Sequence, residues 1–540
     1  MRHPELTLMT ATTDKSTRPN TDLYIIAFTS GMATLAIELT ASRLLGSVFG
    51  TSNLIWANVI GLILLYLTVG YFIGGRIADR YPRRSIMYTL ILWGAFLSML
   101  IPLVARPVLQ AAAQAVVGVE ASLALGSFIA VLVLFSVPLT LLGTTSPFAI
   151  RLAVADVEKT GRIAGQIYAV STVGSLIGTF LPTLFIIPEL GTVRTFLLFG
   201  GILFGVAFIG LWREIRLRAL VWLWMPLVVL LAAFAVLSGP LRPPPANTEL
   251  LYEDESAYNY IQVIEDNNGA RYLYLNEGQG IHSQWHPTQI TYDRTWSFFL
   301  TAPYFNDSFT PDEMQSLMVV GLAAGTIPRQ YIAVYGDIPI DGIEIDPGII
   351  EAGERYFQMN ETHMPSLTTY AQDGRYVLNQ LDGDYTVIGV DAYKAPYIPW
   401  HLTTIEFFQE VHDHLAANGV LAINVGRTST DRRFVDALTH TIGHVFPSIH
   451  AMDVPKSFNT ILIASKQPTS AANLQANLAR LPADASPLLR QALALGTESL
   501  VPADVNASDM LFTDDRAPVE TLVDSLVLNF LLSGNLDEVR

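Results

Sequence analysis

The first 240 residues are dominated by apolar stretches, each as long as a bilayer is thick, and this limits the fold more than any other feature of the chain. A crossing helix needs about 20 residues. Stretches of that length lie near 23–45, 54–75, 85–105, 122–148, 163–188, 193–212 and 219–238. Buried helices of a soluble protein rarely follow one another without a break, so the pattern predicts a seven-helix α-helical membrane domain over 22–238, behind a tail of residues 1–21. The tail lacks an apolar core followed by small residues and does not read as a cleaved signal.

Charge divides the chain at the same place. Residues 1–240 hold 16 Lys and Arg against 10 Asp and Glu, whereas 241–540 hold 16 against 38. An acidic soluble half repels nucleic-acid phosphates and suits a cationic small molecule. Cysteine is absent, which removes disulfides, thiolate metal sites and cysteine nucleophiles, and no metal site is expected.

The basic residues of the membrane half gather in alternate connections: Arg76, Arg80, Arg83 and Arg84; then Arg151, Lys159 and Arg162; then Arg213, Arg216 and Arg218. The intervening connections hold only Arg106 and Arg194. Positive loops stay inside, so the amino terminus is expected in the cytoplasm, and an odd number of crossings leaves the acidic half on the outer side of the cell membrane. Glu38 and Arg43 sit inside the first stretch, where charges are costly, and an internal ion pair or helix contact is the expected resolution.

"SGPLRPPPANT", Ser238 to Thr248, carries four prolines and predicts a stiff linker over 239–248. Beyond it, "AYNYIQVIE" and "ARYLYLNE" alternate around "DNNG", which reads as a β-hairpin within a small β element over 249–310. From 311 to 540, strands "LMVVG", "DGIEID", "YTVIGVD", "GVLAINVG" and "TILIAS" alternate with helices expected at 325–335, 347–357, 403–417 and 430–445. This rhythm predicts a doubly wound, Rossmann-like α/β sheet with ligands at the carboxyl ends of its strands.

The residues that carry chemistry fall at those ends. "VVGLAAGT" ends a strand at Gly321 and opens a helix after Gly325, and Glu344 follows nineteen residues later, where an acid can hold a ribose diol. Asp373, in "AQDGR", reads either as a helix cap or as an adenine contact. Asp391 ends the strand of "VIGVDAYKAP" and reads either as a proton acceptor for an amine or as a cap or ion-pair partner of Lys394.

In order, "ESAYNYIQVIE", "LYLNEGQG", "VVGLAAGT", "IEIDPGIIEAGERYF", "AQDGR", "VIGVDAY" and "LTTIEFFQEVHDHLAANGVLAINV" resemble the spermidine synthase family of aminopropyltransferases. "GGRIADRYPRR" resembles the loop between the second and third helices of major facilitator transporters, so the whole is similar to bacterial fusions of the two. The resemblance implies an enzyme that moves an aminopropyl group from decarboxylated S-adenosylmethionine to a polyamine, with no separate cofactor. It implies Glu344 on the ribose, Asp373 on the adenine, the Gly321 to Gly325 turn on the donor backbone, Asp391 on the attacking amine, and Tyr258 and Gln279 on the acceptor side.

Two positions depart from that pattern. Ala324 stands where the family has an aspartate for the donor's amine, and Lys394 stands where its gate loop has a second aspartate. A co-substrate with its own carboxylate, such as S-adenosylmethionine itself, fits such changes, so another S-adenosylmethionine-dependent enzyme, a methyltransferase or lyase, is the alternative. A non-enzymatic transporter or sensor that binds a polyamine or nucleoside is the third. The tail segment "LFTDDRAPVE" is expected to pack on the sheet, and "TLVDSLVLNFLLSG" reads as an amphipathic helix for the membrane half or a homodimer contact.

Overall fold

A computed structural model describes residues 20–49, 53–115, 122–154, 157–240, 242–276, 280–292, 294–394 and 397–532. The membrane half consists of α1 (Thr21–Phe49), α2 (Asn53–Arg80), α3 (Arg84–Ala115), α4 (Ser122–Gly143), α5 (Thr145–Ala153), α6 (Thr160–Leu181), α7 (Ile187–Ile215) and α8 (Trp224–Leu237). Among the described residues, five helical stretches are long and apolar enough to cross a membrane: Thr21–Gly46, Ile55–Arg80, Arg84–Leu109, Leu125–Ala153 and Thr160–Leu237. The last is a helical run of 78 residues rather than one rod. Gly191 leaves helical geometry at φ +77°, and a 3-10 segment, Arg216–Leu223, separates α7 from α8.

The helices pack as small residues in lipid require. On α6, a Cβ at Gly174 or Gly178 would fall 2.1 Å from the Phe28 or Met32 carbonyl of α1, so these positions set how closely the two backbones approach. Leu230, Leu231 and Phe234 of α8 are more than half exposed, an apolar face suited to lipid.

One end of the bundle collects the basic connections. Arg84 bonds Asp22, Arg151 reaches Asp79 at 3.1 Å, and Asn20 reaches the Ala153 carbonyl at 3.5 Å. The other end meets the soluble half. Among the described residues, Glu38 and Arg43 form no ion pair, contrary to the sequence expectation. Arg43 instead leaves the bundle, donating from Nε to Glu255 at 3.2 Å, from Nη1 to the Ala257 carbonyl at 2.7 Å, and also to the Ser256 carbonyl. Glu255 accepts in addition from the Thr192 N–H at 3.0 Å and from its hydroxyl. Thr192 follows the break at Gly191, so its N–H begins a helical run and lies at the positive end of its dipole.

Removing that carboxylate leaves the Arg43 guanidinium and an N-terminal N–H without their partner, which costs about 3 kcal/mol for a pair this well enclosed. With a specific protease site inserted in the 239–248 linker, the two halves should stay together after cleavage in the native sequence and separate in Glu255→Ala on gel filtration in detergent.

The soluble half opens with a four-stranded antiparallel sheet, β1 (Thr248–Glu255), β2 (Tyr260–Asp266), β3 (Arg271–Leu275) and β4 (Ile281–Trp285). The "DNNG" turn joins β2 to β3, where Asp266 accepts from the Asn268 and Ala270 N–H groups at 2.8 and 3.0 Å. After α9 (Thr295–Phe298) come β5 (Leu317–Val320), α10 (Thr326–Tyr335), β6 (Ile340–Ile343), α11 (Pro347–Tyr356), β7 (Leu367–Tyr370), α12 (Gly374–Leu378) and β8 (Tyr385–Val390). The chain continues through α13 (Ile405–Asp413), β9 (Leu415–Gly426), α14 (Arg433–Ile442), β10 (Ser448–Asp453), β11 (Asn459–Ser465), α15 (Ala472–Arg480), α16 (Pro487–Glu498), β12 (Leu500–Val501) and α17 (Val519–Leu532).

The second sheet runs β12-β10-β11-β9-β8-β5-β6-β7. Its five strands from β9 to β7 are parallel, whereas β11, β10 and β12 pair antiparallel at one edge, a part the purely parallel expectation lacked. Every residue of β5 and β8 is buried, which explains their unbroken apolar sequence. These two strands are neighbours although β6 and β7 intervene in the chain, so the order reverses between them. The crevice above that reversal is where such a sheet accepts a ligand.

Candidate active site

Gly321 ends β5 and Asp391 ends β8, so the order of the sheet sets them side by side. Gly321 has φ +89°, and a Cβ there would lie 2.5 Å from the Asp391 carbonyl oxygen and 2.6 Å from the Ala392 nitrogen. The Asp391 N–H donates to the Val320 carbonyl at 2.8 Å. Only a glycine lets the two strand ends close in this way.

The Asp391 carboxylate accepts from Asn424 Nδ2 at 2.8 Å, and Asn424 Oδ1 in turn accepts from Asn459 Nδ2 at 2.8 Å. Ser457 donates to Asn459 Oδ1 at 3.1 Å, and the Tyr393 hydroxyl donates to the Asn424 carbonyl at 3.0 Å. The amide of Asn424 is therefore oriented from behind and presents its N–H to one oxygen of Asp391. Burial pushes the Asp391 carboxyl up to about 7, and the Asn424 bond opposes this only in part. A carboxyl poised near neutrality is suited to taking a proton from an ammonium nitrogen.

Asp391 faces a cavity of about 720 Å³, within the range of small-molecule sites. Its polar lining includes His282, Arg294, Asn424, Arg427 and Asn459. His282 is half-buried on β4, and desolvation pushes its imidazole down to about 4, so it stays neutral at physiological pH. Arg427 lies 3.3 Å from Asp453, which Arg432 also binds, so one carboxylate is shared by two guanidinium groups. Arg294 is exposed and forms no ion pair with a described residue. Among the described residues that line the cavity, Asp391 is the only carboxylate.

The remaining expected residues are distributed around the turn. Glu344 is buried below Gly321, accepting from the Ala323 N–H at 3.0 Å and the Asp346 N–H at 3.2 Å. Desolvation raises its carboxyl to about 7 against those two bonds. Gly325 caps α10 at φ +78°. Asp373 caps α12, accepting from the Arg375 and Tyr376 N–H groups at 3.0 Å, and its second oxygen meets His401 Nε2 at 2.8 Å. The His401 bond leads the causes that hold its carboxyl below the usual range.

Tyr258 is 52% exposed at the junction with the membrane half, two residues past Ser256, and with Glu344, Gly325 and Asp373 it stands outside the cavity lining. Gln279 lies outside the described residues. Lys394 is exposed, bridges to Tyr397 through the backbone and forms no ion pair with Asp391 among the described residues, so the pairing that was one of the two readings of Asp391 is not made.

Several lining residues carry no signal in the sequence. His282, Asn424 and Asn459 sit in strands that read as structural, and Phe49 reaches the cavity from the end of α1. The tail also takes a place that its sequence left open. Asp514 of "LFTDDRAPVE" binds Arg375 at 2.7 Å beside Glu410 and accepts from Thr404, tying the tail to α12 and α13. Val523 and Leu526 of α17 line the cavity, and Asp524 binds Tyr397 of the gate loop.

Residues 332–473 match the family described as spermine/spermidine synthase domain. The chain is 31% identical over 290 residues to a probable polyamine aminopropyl transferase of Bifidobacterium longum, covering 51% of this chain and 62% of that relative's length. It is 28% identical over 310 residues to a polyamine aminopropyltransferase of Vibrio vulnificus, covering 55% of this chain and 98% of the relative. Among solved structures, a probable spermidine synthase from Corynebacterium glutamicum aligns at 18% identity and a TM-score of 0.37, covering 49% of this chain and 99% of that one. The protein thus carries a spermidine-synthase-like domain behind an N-terminal bundle of apolar, membrane-length helices.

Proposed function

We propose that the protein is a membrane-anchored aminopropyltransferase that moves the aminopropyl group of decarboxylated S-adenosylmethionine to an amine nitrogen, with a polyamine as the acceptor the family resemblance implies. The observation that carries this reading is Asp391, raised to about 7 and held by Asn424, at the end of β8 beside the Gly321 turn. The acceptor nitrogen gives up a proton to Asp391, and its lone pair attacks the propyl carbon next to the sulfonium. The C–S bond breaks with its electrons going to sulfur, so methylthioadenosine leaves as a neutral thioether and the new C–N bond remains. Glu344 is the group for the ribose hydroxyls, since each of its oxygens can accept a further bond beside those from the Ala323 and Asp346 N–H groups. Asp373 serves the donor side through the helix it caps.

Purified full-length protein in lipid nanodiscs, given decarboxylated S-adenosylmethionine and putrescine, should release methylthioadenosine. No release from any amine would overturn the reading. A second reading takes S-adenosylmethionine itself as the donor. It is favoured by Arg294, a cation at the cavity without an ionic partner among the described residues, and by Ala324, which is buried with its N–H on Ser283 at 2.9 Å. Calorimetry separates the two: tighter binding of S-adenosylmethionine than of its decarboxylated form selects the second.

The membrane half is read as seven crossings, with the run Thr160–Leu237 folded into three at Gly191 and at Arg216–Leu223. That count puts the basic end, with Asp22, Arg84 and Arg151, in the cytoplasm and the soluble half on the opposite side. Protease added outside intact cells should then reach the soluble half.

A further inference from the structure

The cavity has one wall that the soluble half does not supply alone. α1 has 29 residues, and at 1.5 Å per residue it is about 43 Å long, well beyond the roughly 30 Å of a hydrocarbon core. The excess lies past Arg43, which is anchored on Glu255, and it ends in Phe49, 2% exposed and part of the cavity lining. Beside it are Val523 and Leu526 of α17 and Phe434 of α14. Glu520 of α17 accepts from the Asn53 N–H at the start of α2 at 2.9 Å, which ties this wall to the corner where the chain turns back into the bundle. The cavity is therefore amphipathic, with Asp391, Asn424 and Arg294 in its polar lining and an apolar wall against the membrane half.

A polyamine carries a cation at each end, and each buried cation needs an acceptor. The described lining offers one carboxylate, the guanidinium groups of Arg294 and Arg427, which repel a second cation, and an apolar wall. We propose that the acceptor is an amine bearing a hydrocarbon chain, its nitrogen at Asp391 and its chain along the wall that Phe49, Val523 and Leu526 form, entering from the side of the bilayer. This rests on the transfer reading for the role of the nitrogen, and it replaces the polyamine that the family resemblance implies with an amine that has one cationic end. The same chemistry is available from a free alkylamine or from a lipid with a primary-amine headgroup.

Calorimetry of the full-length protein in phosphatidylcholine nanodiscs with primary amines from butylamine to decylamine tests the fit. Each methylene seated on the wall should tighten binding by about fourfold. Partition into the lipid is measured in the same discs carrying Phe49→Ser, where the dependence should fall to that of lipid alone, and Leu526→Ala should lower it by a smaller step should the first variant fail to fold. With the donor added, decylamine should exceed putrescine at least tenfold in kcat/KM for methylthioadenosine release. Release from donor alone in phosphatidylethanolamine discs identifies the lipid as the source and supports the proposal. No dependence on chain length beyond that of Phe49→Ser, or tighter binding of putrescine than of decylamine, overturns it. An intact dependence with no nucleoside product from any amine upholds the binding proposal and sinks the transfer reading alone.

Discussion

Asp391→Asn should lower turnover by about 10²–10⁴-fold while leaving donor binding within a few-fold, because the substitution removes a proton acceptor and little else. The amide keeps the shape of the carboxylate and can still accept from Asn424, so the network through Asn459 stays in place. The native enzyme should gain activity as pH rises through about 7, where the carboxyl ionises, and this limb should vanish in the variant. Stability should move the other way. A carboxyl whose folded value of about 7 lies above its unfolded value near 4 stabilises the fold below that lower value, and the contribution is lost as pH rises toward 7. Asp391→Asn should therefore flatten the fall in melting temperature between pH 5 and 8. Glu344 is raised for the same reason and leaves part of the fall in place. A variant of native activity would show that Asp391 does no proton chemistry.

Gly321→Ala should cost the fold about 2–5 kcal/mol. The backbone at φ +89° disfavours any side chain, by about 1–2 kcal/mol, and a methyl group at 2.5 Å from the Asp391 carbonyl forces the end of β8 to move, by about 1–3 kcal/mol more. Against a typical stability of about 5–15 kcal/mol this is a large share. The displaced atoms belong to the residue that faces the cavity, so activity should fall further than thermal stability does. Melting curves alongside donor titrations check this. An alanine variant that melts and binds like the native protein would mean that the two strand ends are not packed as described.

How much of this was legible depends on whether the signal is local. β5 and β8 announce themselves because strands covered on both faces are apolar throughout, and Gly321 stands out because only the turn needs it. The "DNNG" hairpin is legible for the same reason. β7, with the sequence LTTY, and β10, with SIHAMD, mix polar and apolar residues and were missed. Asp373 shows the limit of a motif, since a capping aspartate and a ligand-binding one share a sequence, and here the capping bonds are formed. Asn424 gives no hint from its strand, because its importance comes from Asp391, thirty-three positions earlier in the chain. Phe49 is the extreme case. Nothing in α1 says that its last turn completes a wall whose other residues lie beyond position 430.

That arrangement bears on the order of synthesis. α1 is among the first helices to leave the ribosome, and α17 follows every strand of the sheet. Since both line the cavity, the membrane helices can insert and the sheet can form while the pocket is still open on one side. It closes only when the last helix arrives and Glu520 reaches Asn53. A nascent chain on this plan passes through a stage that is folded and membrane-bound yet has no enclosed site, and it acquires one only once α17 has followed the sheet.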